Sequence, residues 1–391
     1  MLRGENILCL AAAAWEGMWA RAQQFMSIFA RHGNRILYVD PPLTLLSPLK
    51  NPALRGAPKD IWRRWGDNID LYSPPVILPF GNMYRGINRA NQGIIAGGLK
   101  KVCRELAFEP TICWTYLPNT VDLRLSAGVT LVYDCADEHT AFPGLINKET
   151  VLKMERELFA SAGVSLASAG ELCRGKKEFA PAIRLVPNGA DVEHFNRAMG
   201  SSLPVPPELE TLPRPLVGYV GAISSWFDQE MLAAAARAHP EWSFVLIGPV
   251  DADVSLLDAL PNVRLTGRRA YAELPAYLGC FDAAVIPFRI NELTTGVNPV
   301  KLYEYLAAGR PVVSSDLPEV RAFRPQVATA GDAAEFVRKL EEELAADSPG
   351  KRAERLLIAG QHSWKARAEA AAEAVEQFRN RKIRLGMQTS E

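Results

Sequence analysis

Short apolar runs at 7–10, 35–39, 69–72, 111–116, 130–134, 164–167 and 184–186 alternate with longer stretches whose apolar residues recur every three or four positions. Runs this short, flanked by turn residues, predict buried strands, and the stretches between them predict crossover helices of a parallel sheet. The run at 7–10 leads into a helix over 19–31, which Gly33 closes as a cap. The next strand stops at Asp40-Pro41-Pro42. Between 201 and 215 the periodicity lapses and Pro204, Pro206, Pro207, Pro213 and Pro215 accumulate, which reads as an interdomain linker. A second series of strands follows at 216–220, 244–247, 263–265, 283–286 and 312–314, then a helical tail over 334–381. The expected organisation is α/β throughout, with one domain over 1–200, a linker over 201–215 and a second domain over 216–363.

The length of 391 residues suits two cores, and 48% apolar with 23% charged residues is the balance of an ordinary globular chain. Net charge is zero, so no overall field favours nucleic acid. The stretch 50–104 departs from that balance. It holds ten cations (Lys50, Arg55, Lys59, Arg63, Arg64, Arg85, Arg89, Lys100, Lys101 and Arg104) against Asp60, Asp67 and Asp70. A solvated basic surface is one reading; a peripheral contact with anionic membrane lipid is the other. Within it, Trp62-Arg63-Arg64-Trp65 suits either a packed surface helix or a membrane interface. Six cysteines are scattered without metal-binding spacing, as expected of reduced thiols in a cytoplasmic protein. The apolar run behind Arg3 has a signal-peptide outline, but it is short, follows Glu5 and feeds into an aromatic helix, so it reads as a first strand. No run approaches the roughly 20 apolar residues of a membrane span.

The segment 291–315 carries the most chemistry. After the strand at 283–286 comes a polar loop with Gly296, then Asn298 as an expected N-cap and Pro299 as an expected first helical residue. Leu302 and Leu306 supply the buried stripe and Gly309 ends the helix. Its N-terminus would open at the C-terminal edge of a parallel sheet, where ligands bind in such folds. Free amides, a helix dipole of about half a charge and Lys301 in the first turn make an anion site. Glu304, one turn on, is placed to accept hydrogen bonds from ribose hydroxyls. The bland alternative is a capped helix with a surface Lys–Glu pair. No G-x-G-x-x-G follows a strand, which disfavours a dinucleotide oxidoreductase.

The run from Asn298 to Val313 resembles the donor-site signature of glycosyltransferase family 4, and is especially similar to its teichuronic-acid-type subgroup. In the expected order lie Trp15 and Trp19-Ala-Arg21-Ala-Gln23-Gln24; Tyr133 through Gly144; Val186-Pro-Asn-Gly-Ala-Asp191; Gly218 through Asp228; and Gly267 through Pro275. This resemblance implies a GT-B fold, two Rossmann-like domains facing across a cleft, with the C-terminal helix (about 364–381) packing back on the first domain. It implies transfer of a sugar from a nucleotide diphosphate, UDP- or GDP-sugar being the expected donor, to a glycan or lipid-linked acceptor of cell-surface polysaccharide. Retention of configuration and independence of metal and cofactor are further expectations. Carried over by position, Glu304 would bind the ribose, while Lys301 and the amides of Gly296, Val297, Asn298 and Val300 would bind the diphosphate. Gly221 would admit phosphates at the first turn, and the 267–269 turn, with Arg268 and Arg269, would lie near the base. Trp15, Trp19 and Arg21 would belong to the acceptor side, with Asp137 and His139 orienting or deprotonating the acceptor hydroxyl.

Two departures stand out. Many relatives carry a glutamate where this chain has Gly296, and an Arg/Lys pair after the glycine turn where it has Ser224-Ser225-Trp226-Phe227-Asp228. The clamp would then rest on Lys301, the helix terminus, and Arg268, Arg269 or Arg289. A non-catalytic assembly or glycan-binding subunit and a nucleotide-sugar epimerase are the competing functions.

Overall fold

The computed structural model describes all residues except 51–53, 55, 58, 201–202 and 389–391, with the backbone alone at Lys50 and 385–388. The chain forms two compact units, Met1–Pro187 with Ala368–Glu391, and Asn188–Arg367.

The first unit is built on strands β1 (Asn6–Leu10), β2 (Arg35–Val39), β3 (Ile61–Gly66), β4 (Ile69–Ser73), β5 (Ile112–Thr115), β6 (Thr130–Cys135), β7 (Val164–Ala167) and β8 (Arg184–Leu185). They lie in the order β3-β4-β2-β1-β5-β6-β7-β8. Only the β3–β4 pair is antiparallel. The central strands read as unbroken apolar runs because helices cover both faces of a parallel sheet. Strand order reverses between β1 and β5, each following its neighbour on opposite sides, and this switch point leaves a crevice beyond the strand ends.

The second unit carries β9 (Leu216–Val220), β10 (Ser243–Ile247), β11 (Val263–Gly267), β12 (Ala283–Ile286), β13 (Val312–Ser315) and β14 (Ala328–Ala330). The sheet is wholly parallel, in the order β11-β10-β9-β12-β13-β14, so its switch point lies between β9 and β12.

Three expectations need correcting. The boundary falls after Pro187, and the proline-rich stretch belongs to the second unit instead of joining two units. Its Leu209 is buried in that unit's core, and Glu208 pairs with Arg269. Phe195 and Ala198 are buried in the same core, which draws 188–200 with them. Trp62–Trp65 lies on an edge strand, not a helix: Asp67-Asn68 turns the chain into a hairpin with β4. The polar segment before Gly296 contains a short helix, Glu292–Thr295, capped by the Asn291 side chain.

Helices span the tail at Ala333–Ala346, Pro349–Gln361 and Trp364–Gln388. The last begins in the second unit, and from Ala368 onward it belongs to the first. There Arg379 donates to Thr130 Oγ1 at 3.1 Å and to the Thr111 carbonyl at 3.0 Å, and pairs with Glu5 at 2.5 Å.

Candidate functional site

In the second unit the helix Val300–Ala307 begins at the switch point. Leu302 and Leu306 are fully buried, and Gly309, at φ +68°, closes the helix as its pattern suggested. Its start differs from expectation. Pro299 is the N-cap and Val300 the first helical residue. The Asn298 side chain is drawn away instead: Oδ1 accepts from the Asn188 amide at 2.9 Å, and Nδ2 donates to Glu319 at 3.0 Å. Asn188 Nδ2 in turn donates to the Asn298 carbonyl at 2.7 Å. Asn298 therefore anchors the loop before the helix rather than capping it. Gly296 and Val297 also leave the expected set of anion donors, because their amides already donate to Leu293 and Thr294. The amides of Asn298, Val300 and Lys301 have no acceptor among the described residues.

Beside them, β9 runs into Gly221, whose φ of +151° suits glycine. A Cβ there would stand 2.9 Å from Lys301 Cε and 2.9 Å from the Tyr219 hydroxyl, so a larger residue would displace the lysine. Tyr305, from the helix, accepts from the Val220 amide at 2.8 Å and stitches the two elements together. The Lys301 ammonium lies over the rings of Phe288 and Tyr219, with centroids at 4.6 and 5.4 Å. Glu304 is only 8% exposed. Neither charged group has a hydrogen-bond or ion-pair partner within 4.0 Å among the described residues, which removes the ordinary surface pair as an explanation. Burial pulls Lys301 down to about 8 against the opposing pull of Glu304, and pushes Glu304 up to about 7 against that of Lys301. A half-buried cation resting on two rings and a buried carboxylate, neither of them ion-paired among the described residues, suit a ligand that supplies both anion and hydroxyl groups.

The arginines expected to help divide. Arg269 is committed elsewhere: its guanidinium donates to Glu208 at 2.8 Å and to the Tyr277 hydroxyl at 2.6 Å. Arg268 is exposed on the turn after β11, next to Gly267, whose carbonyl accepts from Gly248. The Arg289 amide donates to the Trp226 carbonyl, tying the Ser224–Asp228 loop to the segment beyond β12. Asp228 caps the next helix through Met231.

In the first unit a cavity of about 430 Å³ opens where β1 and β5 end. Arg21, Asp137 and His139, three residues the sequence singled out, all line it. Arg21 contributes mainly structure: it is buried, pairs with Asp134 at 2.9 Å and donates to the Pro187 carbonyl. Trp114 adds a third bond to the same carboxylate. Asp137 makes no side-chain hydrogen bond among the described residues; burial raises its carboxyl, with His139 and Arg21 opposing. His139 is buried and its Nε2 has no hydrogen-bond partner among the described residues. Sequence reasoning missed what fixes their loop. Glu138, between them, is held by Lys176 at 2.7 Å, and Lys176 also pairs with buried Glu155 at 2.8 Å. Trp15 does not line this cavity. It is packed edge-on against Trp19, Tyr38 and Trp65, and Trp19 is half-buried beside it.

Five of the ten cations of the basic stretch are ion-paired among the described residues. Arg63 pairs with Glu16, Arg64 with Asp70, Arg85 with Asp122 and Glu157, Arg89 with Asp122 and Lys101 with Asp60. Arg55 and the Lys50 side chain lie outside the described residues.

Residues 214–347 match the family model described as glycosyl transferases group 1. Over 140 residues the chain is 34% identical to TuaH of Bacillus subtilis (strain 168), a protein named as a teichuronic acid biosynthesis glycosyltransferase. That match spans 35% of this chain and 35% of the relative, about a third of its length. Solved structures match almost the whole chain. An α,α-trehalose 6-phosphate synthase from Burkholderia multivorans superposes with a TM-score of 0.69 at 13% identity, covering 97% of this chain and 100% of that one. Sucrose-phosphate synthase from Thermosynechococcus elongatus gives 0.67 at 16%, covering 95% and 98%. Anabaena HepE, in complex with UDP and glucose, gives 0.64 at 14%, covering 95% and 99%. These likenesses give the fold as GT-B.

Proposed function

We propose that this chain, whose residues 214–347 form a glycosyl transferases group 1 domain, moves a sugar from a nucleotide diphosphate onto a glycan or lipid-linked acceptor in polysaccharide synthesis. One observation carries the reading: at the start of one helix stand Lys301, set against Gly221, Glu304 one turn on, and three amides that have no acceptor among the described residues. Diphosphate oxygens would meet the ammonium and the amides, and the ribose hydroxyls would donate to Glu304. A UDP-sugar is the first donor to try, since HepE, a relative in fold, holds UDP and glucose.

Departure of the nucleoside diphosphate builds negative charge on the phosphate as the anomeric C–O bond breaks. Preorganised donors at that position stabilise the transition state more than the ground state. Lys301 and the helix terminus supply such donors, so the reaction proceeds without a divalent metal. Asp137 and His139 would orient the acceptor hydroxyl and take up its proton. Retention of configuration is part of the proposal, on the strength of the family resemblance alone.

Titration calorimetry with UDP and GDP tests the donor site. Lys301→Ala and Glu304→Ala should each weaken binding by about 1–3 kcal/mol, the scale of a charge-assisted hydrogen bond. Unchanged affinity in both variants would remove the assignment. With a donor identified, turnover should survive EDTA; abolition that magnesium reverses would refute the metal-free mechanism.

A further inference from the structure

A second cavity of about 380 Å³ lies in the first unit, and its walls share Asn82, Leu117 and Asn119 with the cavity of Asp137 and His139. The two are therefore adjoining compartments of one crevice, each within the roughly 300–1,000 Å³ of ordinary ligand pockets.

The second compartment holds polar groups that the protein leaves open. Gln92 lines it and is only 4% exposed, yet its amide has no hydrogen-bond partner among the described residues. Such an amide brings two donors and an acceptor oxygen, and leaving them unmade in a buried place is unfavourable. Asp40, on the same wall, accepts from the Trp15 amide at 2.8 Å and from Ser73 Oγ at 3.2 Å. Those two bonds leave the carboxylate with acceptor sites to spare. At the junction of the compartments, Asn119 Nδ2 donates to Asn82 Oδ1 at 3.2 Å. The Asn82 NH₂ group and the Asn119 side-chain oxygen then have no partner among the described residues. Between these groups the wall is apolar, with Leu46, Ile77 and Ile95 on it. A few open polar groups set in an apolar wall suit a sugar, which carries hydroxyls at its rim and C–H bonds on its faces.

Charge narrows the class further. Arg21 is the only Lys or Arg that lines either compartment among the described residues, and it is paired with Asp134. Asp40 and Asp137 bring carboxylates instead. A phosphate or a uronate placed here would lose its water and gain no counter-charge.

We infer that the crevice binds an uncharged oligosaccharide of at least two sugars. The sugar that receives the transfer sits beside Asp137 and His139. The next one back sits in the second compartment, with its hydroxyls on Gln92 and Asp40. The inference rests on the transferase reading and on the first cavity being the acceptor site. It narrows the acceptor to a neutral glycan longer than one unit, and makes Gln92 and Asp40 determinants of acceptor choice.

A glycan array probed with the fluorescently labelled full chain, in the presence of UDP, tests this. Retention is expected on particular uncharged disaccharides or longer glycans, at least tenfold above their terminal monosaccharides. Counterparts whose second sugar carries a phosphate or carboxylate should bind at least tenfold more weakly. Gln92→Leu and Asp40→Asn, which keep the side-chain size, should each weaken binding of the best disaccharide at least tenfold. UDP affinity and the far-ultraviolet circular dichroism should stay at wild-type values in both. Disaccharide affinity that neither substitution changes would overturn the inference. So would equal retention of mono- and disaccharides, equal retention of acidic glycans, or retention of no uncharged glycan at all. Failure of the transferase reading shows separately, as UDP affinity indifferent to Lys301→Ala.

Discussion

At the scale of single residues, Lys301 and Glu304 make nucleotide affinity depend on pH in a way that can be worked out. Burial brings Lys301 down to about 8. Above that pH, ligand binding must also restore the ammonium, so affinity falls as pH rises. Glu304 takes up a proton at about 7. Below that pH the carboxyl is neutral and a weaker acceptor for ribose hydroxyls, so affinity falls again as pH drops. UDP should therefore bind tightest between pH 7 and 8. In Lys301→Ala the alkaline limb should vanish while the acidic one persists. A flat profile in the wild type, measured by calorimetry in buffers of matched ionic strength, would show that neither group meets the ligand. Both residues stood out in the sequence because their spacing on one helix is local information, and the structure does place them on that helix. Arg269 was not, since the carboxylate that captures it, Glu208, lies 61 positions earlier in a stretch that reads as linker.

At the scale of elements, the proposed donor site requires the first turn of the helix Val300–Ala307 to stay open toward the ligand. Asn298 does this from outside the helix, through bonds to Asn188 and Glu319. Local rules assign a residue in that position to capping, and they fail here because Asn188, 110 positions away, competes for the side chain and wins. Asn298→Ala would leave the buried Asn188 amide without its acceptor. It should destabilise the second unit by about 1–3 kcal/mol in urea unfolding and weaken UDP binding as well. Loss of stability with full affinity would mean that the loop matters for folding alone. The Asp137–His139 loop follows the same logic. Its candidate residues stood out by type, whereas the Glu138–Lys176–Glu155 chain that fixes it depends on tertiary contacts.

At the scale of the whole molecule, the alternation of strands and helices was readable almost throughout, because buried parallel strands leave unbroken apolar runs. Segments whose register depends on a partner were less so, such as β3, which exists as a strand only by pairing with β4. The division into units was blurred for the same reason: the chain returns to the first unit at Ala368, and Phe195 binds 188–200 to the second. This division makes a separable prediction. On the proposed donor site UDP would contact residues of Asn188–Arg367, so at about 100 times its dissociation constant it should stabilise that unit by roughly 2.7 kcal/mol. Arg379→Ala removes the ties to Glu5, Thr111 and Thr130, and should destabilise the other unit by about 1–3 kcal/mol. Differential scanning calorimetry should then resolve two transitions, the nucleotide raising one and the substitution lowering the other. If both perturbations instead move a single transition together, the two units melt as one cooperative body. The prediction of two separately melting units would then be wrong, even with the donor site intact.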